Sequence, residues 1–167
     1  MGNAENWEPL SVNDAAQIFN NIPIAWWIAG GWALDLFLGR QTREHADLDV
    51  VILRHDYLSL YRYLHDKWEM SKAAGGRLIR WEKDETLNLH DDNIWIKKKG
   101  SPTWAFQVMI LNTENEEWIY KRKKTIRKAV KDIWTVSSIG IPILRPEVQL
   151  LYKGGSSVLR EKDLMLI

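Results

Sequence analysis

Apolar residues recur at helical spacing in four stretches of the chain, with short apolar or alternating runs between them. Ala15, Ala16, Ile18, Phe19 and Ile22 share one helical face; Asn13-Asp14 can cap that helix and Pro23 ends it. Ile24 to Ala29 is a continuous apolar run, the pattern of a buried strand, which Gly30-Gly31 closes. Trp32 to Leu38 predicts a helix burying Ala33, Leu34, Phe37 and Leu38, with Gly39 placed as its C-terminal glycine. After the polar loop Arg40 to Ala46, Asp47 to Leu53 predicts a strand entered through two acids. Leu58, Tyr61, Leu64 and Trp68 then set the register of a helix over Asp56 to Lys67. Strands are expected over Leu78–Trp81, Thr86–His90, Asn93–Lys97 and Trp104–Leu111, with turns at Ala74-Gly75-Gly76, Lys83-Asp84 and Gly100-Ser101-Pro102. Pro146 and Glu147 suit the first turn of a last helix, whose buried side carries Val148, Leu150, Leu151 and Tyr152. This order predicts an α+β fold, with helices packed on a mixed, strand-rich sheet. No linker divides it, so residues 1–167 are expected to form one domain with a short C-terminal helical part from Pro146.

Composition narrows the chemistry. Twenty-three basic and 22 acidic side chains leave a formal charge of +1, which argues against an electrostatically driven nucleic-acid binder. The basic run Lys121 to Lys131 is interrupted by Ile126, Ala129 and Val130 and reads as a solvated edge or helix face. No stretch approaches the roughly 18 apolar residues that cross a bilayer, and Met1 to Trp7 lacks the pattern of a secretory signal. Cysteine is absent, which excludes disulfides, thiolate catalysis and Cys-based zinc sites, and suits a cytoplasmic protein. Ten Trp residues serve either a large-ring core or a cleft that stacks a ring ligand.

Asp47 and Asp49 stand two apart at the head of a strand, so the strand period puts both carboxylates on one face. Side by side they repel, and a hard divalent cation such as Mg²⁺ relieves that repulsion. Taken alone, Asp-x-Asp fits metal ligands or solvated turn carboxylates. Gly30-Gly31 likewise fits a plain tight turn or a cradle in which backbone and helix N-terminus approach an anion. Together, a phosphate cradle on one strand exit and an acid pair on the next strand form the minimum equipment for phosphoryl or nucleotidyl transfer.

The segments Trp27-Ile28-Ala29-Gly30-Gly31-Trp32-Ala33-Leu34-Asp35, Gly39-Arg40-Gln41-Thr42-Arg43-Glu44-His45 and Asp47-Leu48-Asp49 resemble the nucleotidyltransferase superfamily. The branch they resemble contains aminoglycoside 2″-adenylyltransferases and lincosamide nucleotidyltransferases. Pro146 to Lys153 is similar to that family's C-terminal helix, whose lysine faces nucleotide phosphates. The resemblance implies a DNA-polymerase-β-like fold and Mg²⁺-dependent transfer of a nucleoside monophosphate from an NTP, by expectation ATP, to an acceptor hydroxyl. It implies Asp47 and Asp49 as catalytic metal ligands, and Gly30, Gly31, Lys153 and Arg43 as nucleotide-binding residues. The acceptor would be a small hydroxylated molecule such as an aminoglycoside or lincosamide antibiotic. Toxin-like nucleotidylation of protein or tRNA, and nucleotide binding without turnover, are the alternatives.

The chain departs from the family pattern at one place. The superfamily carries a third acid on a later strand, and here Gln107 occupies that strand. An amide orients a hydroxyl but does not accept its proton at neutral pH. Glu114 could replace the acid only if its loop folded back, so the base is left unassigned.

Other candidates have bland readings beside the pointed ones. Arg40 and Arg43 suit triphosphate contacts or surface counter-charges, and His45 suits either Asp47 or loop packing. Asp35 is expected to pin the loop from Arg40 to His45. His90-Asp91-Asp92 is metal-like in composition but falls in a turn, and Trp26, Trp27 and Trp32 are expected to pack in the core. The apolar end Leu164 to Ile167 requires burial in the domain, in downstream sequence or in a second subunit; a homodimer is one such arrangement.

Overall fold

The computed structural model describes residues 6–154. Helix α1 (Val12–Phe19) is followed by β1 (Trp27–Ala29), α2 (Gly30–Leu38), β2 (Asp49–Leu53), a 3-10 turn at Arg54–Asp56 and α3 (Tyr57–Leu64). Then come β3 (Trp68–Ala74), β4 (Arg77–Arg80), β5 (Asn93–Lys98), β6 (Phe106–Glu114), β7 (Glu117–Ile119) and β8 (Arg127–Ala129). A 3-10 turn at Val130–Asp132, β9 (Trp134–Val136), β10 (Pro142–Leu144) and α4 (Pro146–Gly154) complete the order. The mixed sheet runs β4-β3-β5-β6-β2-β1-β10-β9, with β7 continuing from β6 and β8 from β7. Among the named strands of the described residues, the β2–β6 and β1–β10 pairs are parallel and the others antiparallel. Among the described residues, no helix is long and apolar enough to cross a membrane.

The α+β reading holds, and the central strands explain why. Successive residues of β2 alternate between the two faces of the sheet. Val50 and Ile52 join Phe19 of α1 and Leu60 and Leu64 of α3 on one face. Val51 and Leu53 join Trp27, Leu144 and Val148 of α4 on the other. Each such side chain, fully buried, contributes roughly 1.5–3 kcal/mol. By contrast, β5 and the start of β6 bury one face only: Ile94, Ile96, Phe106 and Val108 point inward, while Asn93, Trp95 and Gln107 are half-buried. That second face is where a site can stand.

Several boundaries differ from the expected ones. Ser11, rather than Asn13-Asp14, caps α1 by accepting a hydrogen bond from the Asp14 N–H at 3.1 Å. The strand expected from Ile24 begins at Trp27, and Gly30-Gly31 open α2 instead of merely closing β1. Residues Thr86–His90 form no strand: Asp91 and Asn88 side chains accept backbone N–H groups there and build turns. A further strand, β3, pairs with β4 across a two-residue turn in which Gly75 and Gly76 both have positive φ. Gly39 ends α2 in the left-handed conformation, as expected. Helix α4 is fastened to the β7 region by Tyr120, whose hydroxyl donates to the Leu151 carbonyl at 2.9 Å, and by Trp118, whose Nε1–H donates to the Tyr152 hydroxyl. Burial of Tyr152 pushes its phenol up to about 12. The segment from Leu164 to Ile167 lies outside the described residues.

Candidate active site

The β1–β2 register sets Ala29 opposite Asp49, so the turn that leaves β1 passes directly over the Asp49 side chain. Gly30 makes that turn with φ +66°. A Cβ on Gly30 would lie 3.1 Å from Asp49 Cγ and nearer still to Oδ2. A Cβ on Gly31 would meet the His45 ring at 2.5 Å and Arg43 Nη2 at 2.7 Å. The glycine pair therefore brings an acid, an imidazole and a guanidinium against the first turn of α2. Helix N-termini carry amides without helical partners and a positive dipole end. The Gly30 N–H is engaged by the protein itself: it donates to Oε1 of buried Gln149 on α4 at 2.7 Å.

Asp35, one turn into α2 and 3% exposed, holds the loop that follows. It accepts from the Thr42 N–H at 3.1 Å and the Thr42 hydroxyl at 2.5 Å, and pairs with His45 Nε2 at 2.6 Å. Burial pulls the Asp35 carboxyl upward, but the bonds to Thr42 and His45 outweigh it and hold the group below its ordinary value. The expectation that Asp35 pins this loop is met. His45 is a loop-packing residue, set against Trp32 with ring centroids 4.5 Å apart and ring planes tilted by 46°.

Strand β2 begins at Asp49, two residues later than expected, and Asp47 lies exposed in its lead-in. The Gln107 N–H donates to the Leu48 carbonyl, between the two acids, at 2.9 Å, which carries the pairing with β6 one residue beyond the start of β2. Asp49 is set against Gln107, and Gln107 against Trp95 of β5. The Gln107 side chain bridges the acids: its Nε2–H donates to Asp47 Oδ2 at 3.3 Å and to Asp49 Oδ1. Thus Asp47, Asp49, Gln107, Gly30, Gly31 and Arg43 gather at one end of the central strands β1, β2 and β6. Lys153 falls near the end of α4, and its side chain lies outside the described residues.

Glu114 is not part of this group. It stands seven residues further along β6, about 23 Å away at a strand's rise per residue, and pairs with Arg127 at 3.1 Å. His90-Asp91-Asp92 is structural: Asp92 pairs with Arg54 and Lys121, and Asp91 accepts the Asn88 N–H. A cavity of about 720 Å³ near Leu53, His55 and Glu117 lies at the other end of β2 from the acids. Sequence reasoning missed Gln149, whose isolated polar character among Val148, Leu150 and Leu151 was its only signal. Trp95 was missed as a neighbour of Gln107, although the alternation Asn93, Trp95, Lys97 places it on the half-open face.

A family model described as aminoglycoside-2''-adenylyltransferase matches residues 11–163, nearly the whole chain. The chain belongs to that family. It is accordingly a nucleotidyltransferase of the adenylyltransferase kind. The lincosamide resistance protein of Staphylococcus haemolyticus is 26% identical over 141 residues, 83% of this chain and 79% of that one. The 2''-aminoglycoside nucleotidyltransferase of Escherichia coli is 53% identical over 36 residues, only 22% of this chain and 19% of its own length. The fold is shared with the crystal structure of the lincosamide antibiotic adenylyltransferase LnuA in its lincomycin-bound form, at TM-score 0.60 and 18% identity, covering 97% of this chain and 95% of that one. It is shared also with ANT(2")-Ia in complex with adenylyl-2"-tobramycin, at TM-score 0.54 and 13% identity, over 93% of this chain and 82% of that one.

Within this nucleotidyltransferase, the donor set at the acid pair fits a hard divalent cation. Asp47 and Asp49 offer carboxylate oxygens on one face, their strand is anchored in the core, and a guanidinium and a helix N-terminus stand beside them.

Proposed function

We propose that the protein transfers a nucleoside monophosphate, most simply AMP from ATP, to a hydroxyl of a small antibiotic of the lincosamide or aminoglycoside kind. The observation that carries this reading is the contact between the Gly30 turn and Asp49, which joins an anion-receiving helix start to the acid pair. Asp47 and Asp49 would hold Mg²⁺, which when bound supplies charge neutralisation and alignment of the triphosphate. Gly31, the amides of the first α2 turn, Arg43 and Lys153 would receive the β- and γ-phosphates, Arg43 through its planar fork and Lys153 as a point charge. The acceptor oxygen would then attack the α-phosphorus in line; one P–O bond forms, the bond to pyrophosphate breaks and pyrophosphate departs, and the hydroxyl proton passes to solvent water. Gln107 has no basic atom for that proton at neutral pH. The chain therefore works by positioning and electrostatics, which a loose phosphoryl transition state rewards most.

The test is pyrophosphate release with ATP or GTP and Mg²⁺ against a panel of lincosamides and aminoglycosides. Release that depends on one antibiotic class supports the reading. Gln107 also favours a second one, nucleotide binding without turnover: tight metal-dependent ATP binding with no release across the panel would favour it.

A further inference from the structure

We infer that Gln107 is a neutral, reversible ligand of the catalytic cation: its terminal amide turns from hydrogen-bond donor to oxygen ligand when the cation enters. This inference rests on the metal-dependent reading above. An amide has two chemically opposite ends, an NH₂ donor and a carbonyl acceptor. In the structure the donor end faces the acids, with Nε2 bonded to both Asp47 and Asp49. That orientation is the one two anions demand, since the amide hydrogens offset their mutual repulsion. A cation held by the same oxygens reverses the demand. Facing it, the NH₂ end is repelled and the carbonyl end is attracted.

The backbone holds the residue beside the acids. Its backbone is bonded to Leu48 at 2.9 Å, and its strand neighbours are Asp49 on one side and Trp95 on the other. The terminal torsion of a glutamine, in contrast, is soft and roughly two-fold. Half a turn about that bond exchanges Nε2 for Oε1 while the rest of the residue stays in place. Gln107 thereby stands in for the cation's charge before binding and adds a third oxygen afterwards. Because the amide carries no charge, the site acquires a ligand without the extra anion that a carboxylate would bring.

The experiment is Mn²⁺ titration by calorimetry, with a non-hydrolysable ATP analogue present, on the wild-type chain, Gln107→Met and Gln107→Glu. Methionine preserves length and removes the hard oxygen. Its expected effect is a loss of Mn²⁺ affinity of about tenfold or more, with the folded far-UV circular dichroism spectrum retained, while Gln107→Glu binds at least as tightly as wild type. If Gln107→Met does not fold, Gln107→Asn, too short to reach, takes its place with the same expectation. In parallel, the side-chain NH₂ resonances of Gln107, assigned by their loss in Gln107→Glu, should shift on addition of Mg²⁺ and analogue. Mn²⁺ affinity of the Met variant equal to or above wild type, or unmoved NH₂ resonances, would overturn the amide-ligand inference and leave the transferase reading standing. A wild-type chain that binds no Mn²⁺ with nucleotide would overturn both.

Discussion

Asp35 shows how one buried carboxylate shapes the site without touching its chemistry. It fixes Thr42 and His45, and His45 with Arg43 then closes over Gly31. Hydrogen bonds to a charged group are worth about 1.5–3 kcal/mol, so Asp35→Asn should cost about that much stability at pH 7 in urea unfolding. Its pKa is lowered by folding below the ordinary value near 4. The contribution is therefore complete above about pH 4 and disappears as pH falls through the folded value. The stability difference between wild type and Asp35→Asn should shrink below pH 4; a difference that persists in acid would contradict the role given to the carboxylate. Asp35 was legible in the sequence because an acid one turn into a helix, followed by Gly-Arg-x-Thr-Arg-x-His, suggests a pinned loop. The use of Gly31 was not. Its neighbours in space are His45 and Arg43, and no local pattern reveals that closeness.

At the level of elements, the site depends on how α4 meets the β1–α2 turn. Gln149 reaches across 119 residues of sequence to hold the Gly30 N–H. Replacing it with Met keeps the volume and leaves that buried donor unpaired, a cost of about 1–3 kcal/mol. Gln149→Met should lower the unfolding free energy by this amount. Amide exchange should speed up at Gly30 before it does so in the central strands; uniform protection would argue that the bond contributes nothing to the turn. Helix α4 itself was readable from Pro146, Glu147 and its apolar spacing, and β2 from its unbroken apolar run. The shorter strands were harder. The β6–β7 turn uses Asn115 and Glu116 at positive φ, a conformation that Asn adopts readily but that its sequence context does not announce. Thr86–His90 has strand-like alternation and yet forms turns, because Asp91 and Asn88 satisfy its backbone locally.

For the whole molecule, ligand binding should register as stability. A nucleotide and Mg²⁺ at about a hundred times their dissociation constant add about 2.7 kcal/mol to the native state. For a chain of this size that is a rise of about 5–10 °C in melting temperature. Asp49→Asn should abolish the Mg²⁺-dependent part of the rise; an undiminished shift would place the cation elsewhere. The sequence by itself determined the parts: the periodicity of its helices, the core strand behind the acid pair, the glycine turn, and the motif pattern of the family the chain belongs to. Those are local properties, written in spacing and residue type. Only the tertiary structure decided what these parts face. It set Gly30 over Asp49, turned the Gln107 amide onto both acids, brought Gln149 from the far end of the chain and removed Glu114 to the other end of β6. Each of these follows from strand register and crossover connections between residues far apart in sequence, where pairing is chosen by the burial of the whole sheet rather than by any segment alone.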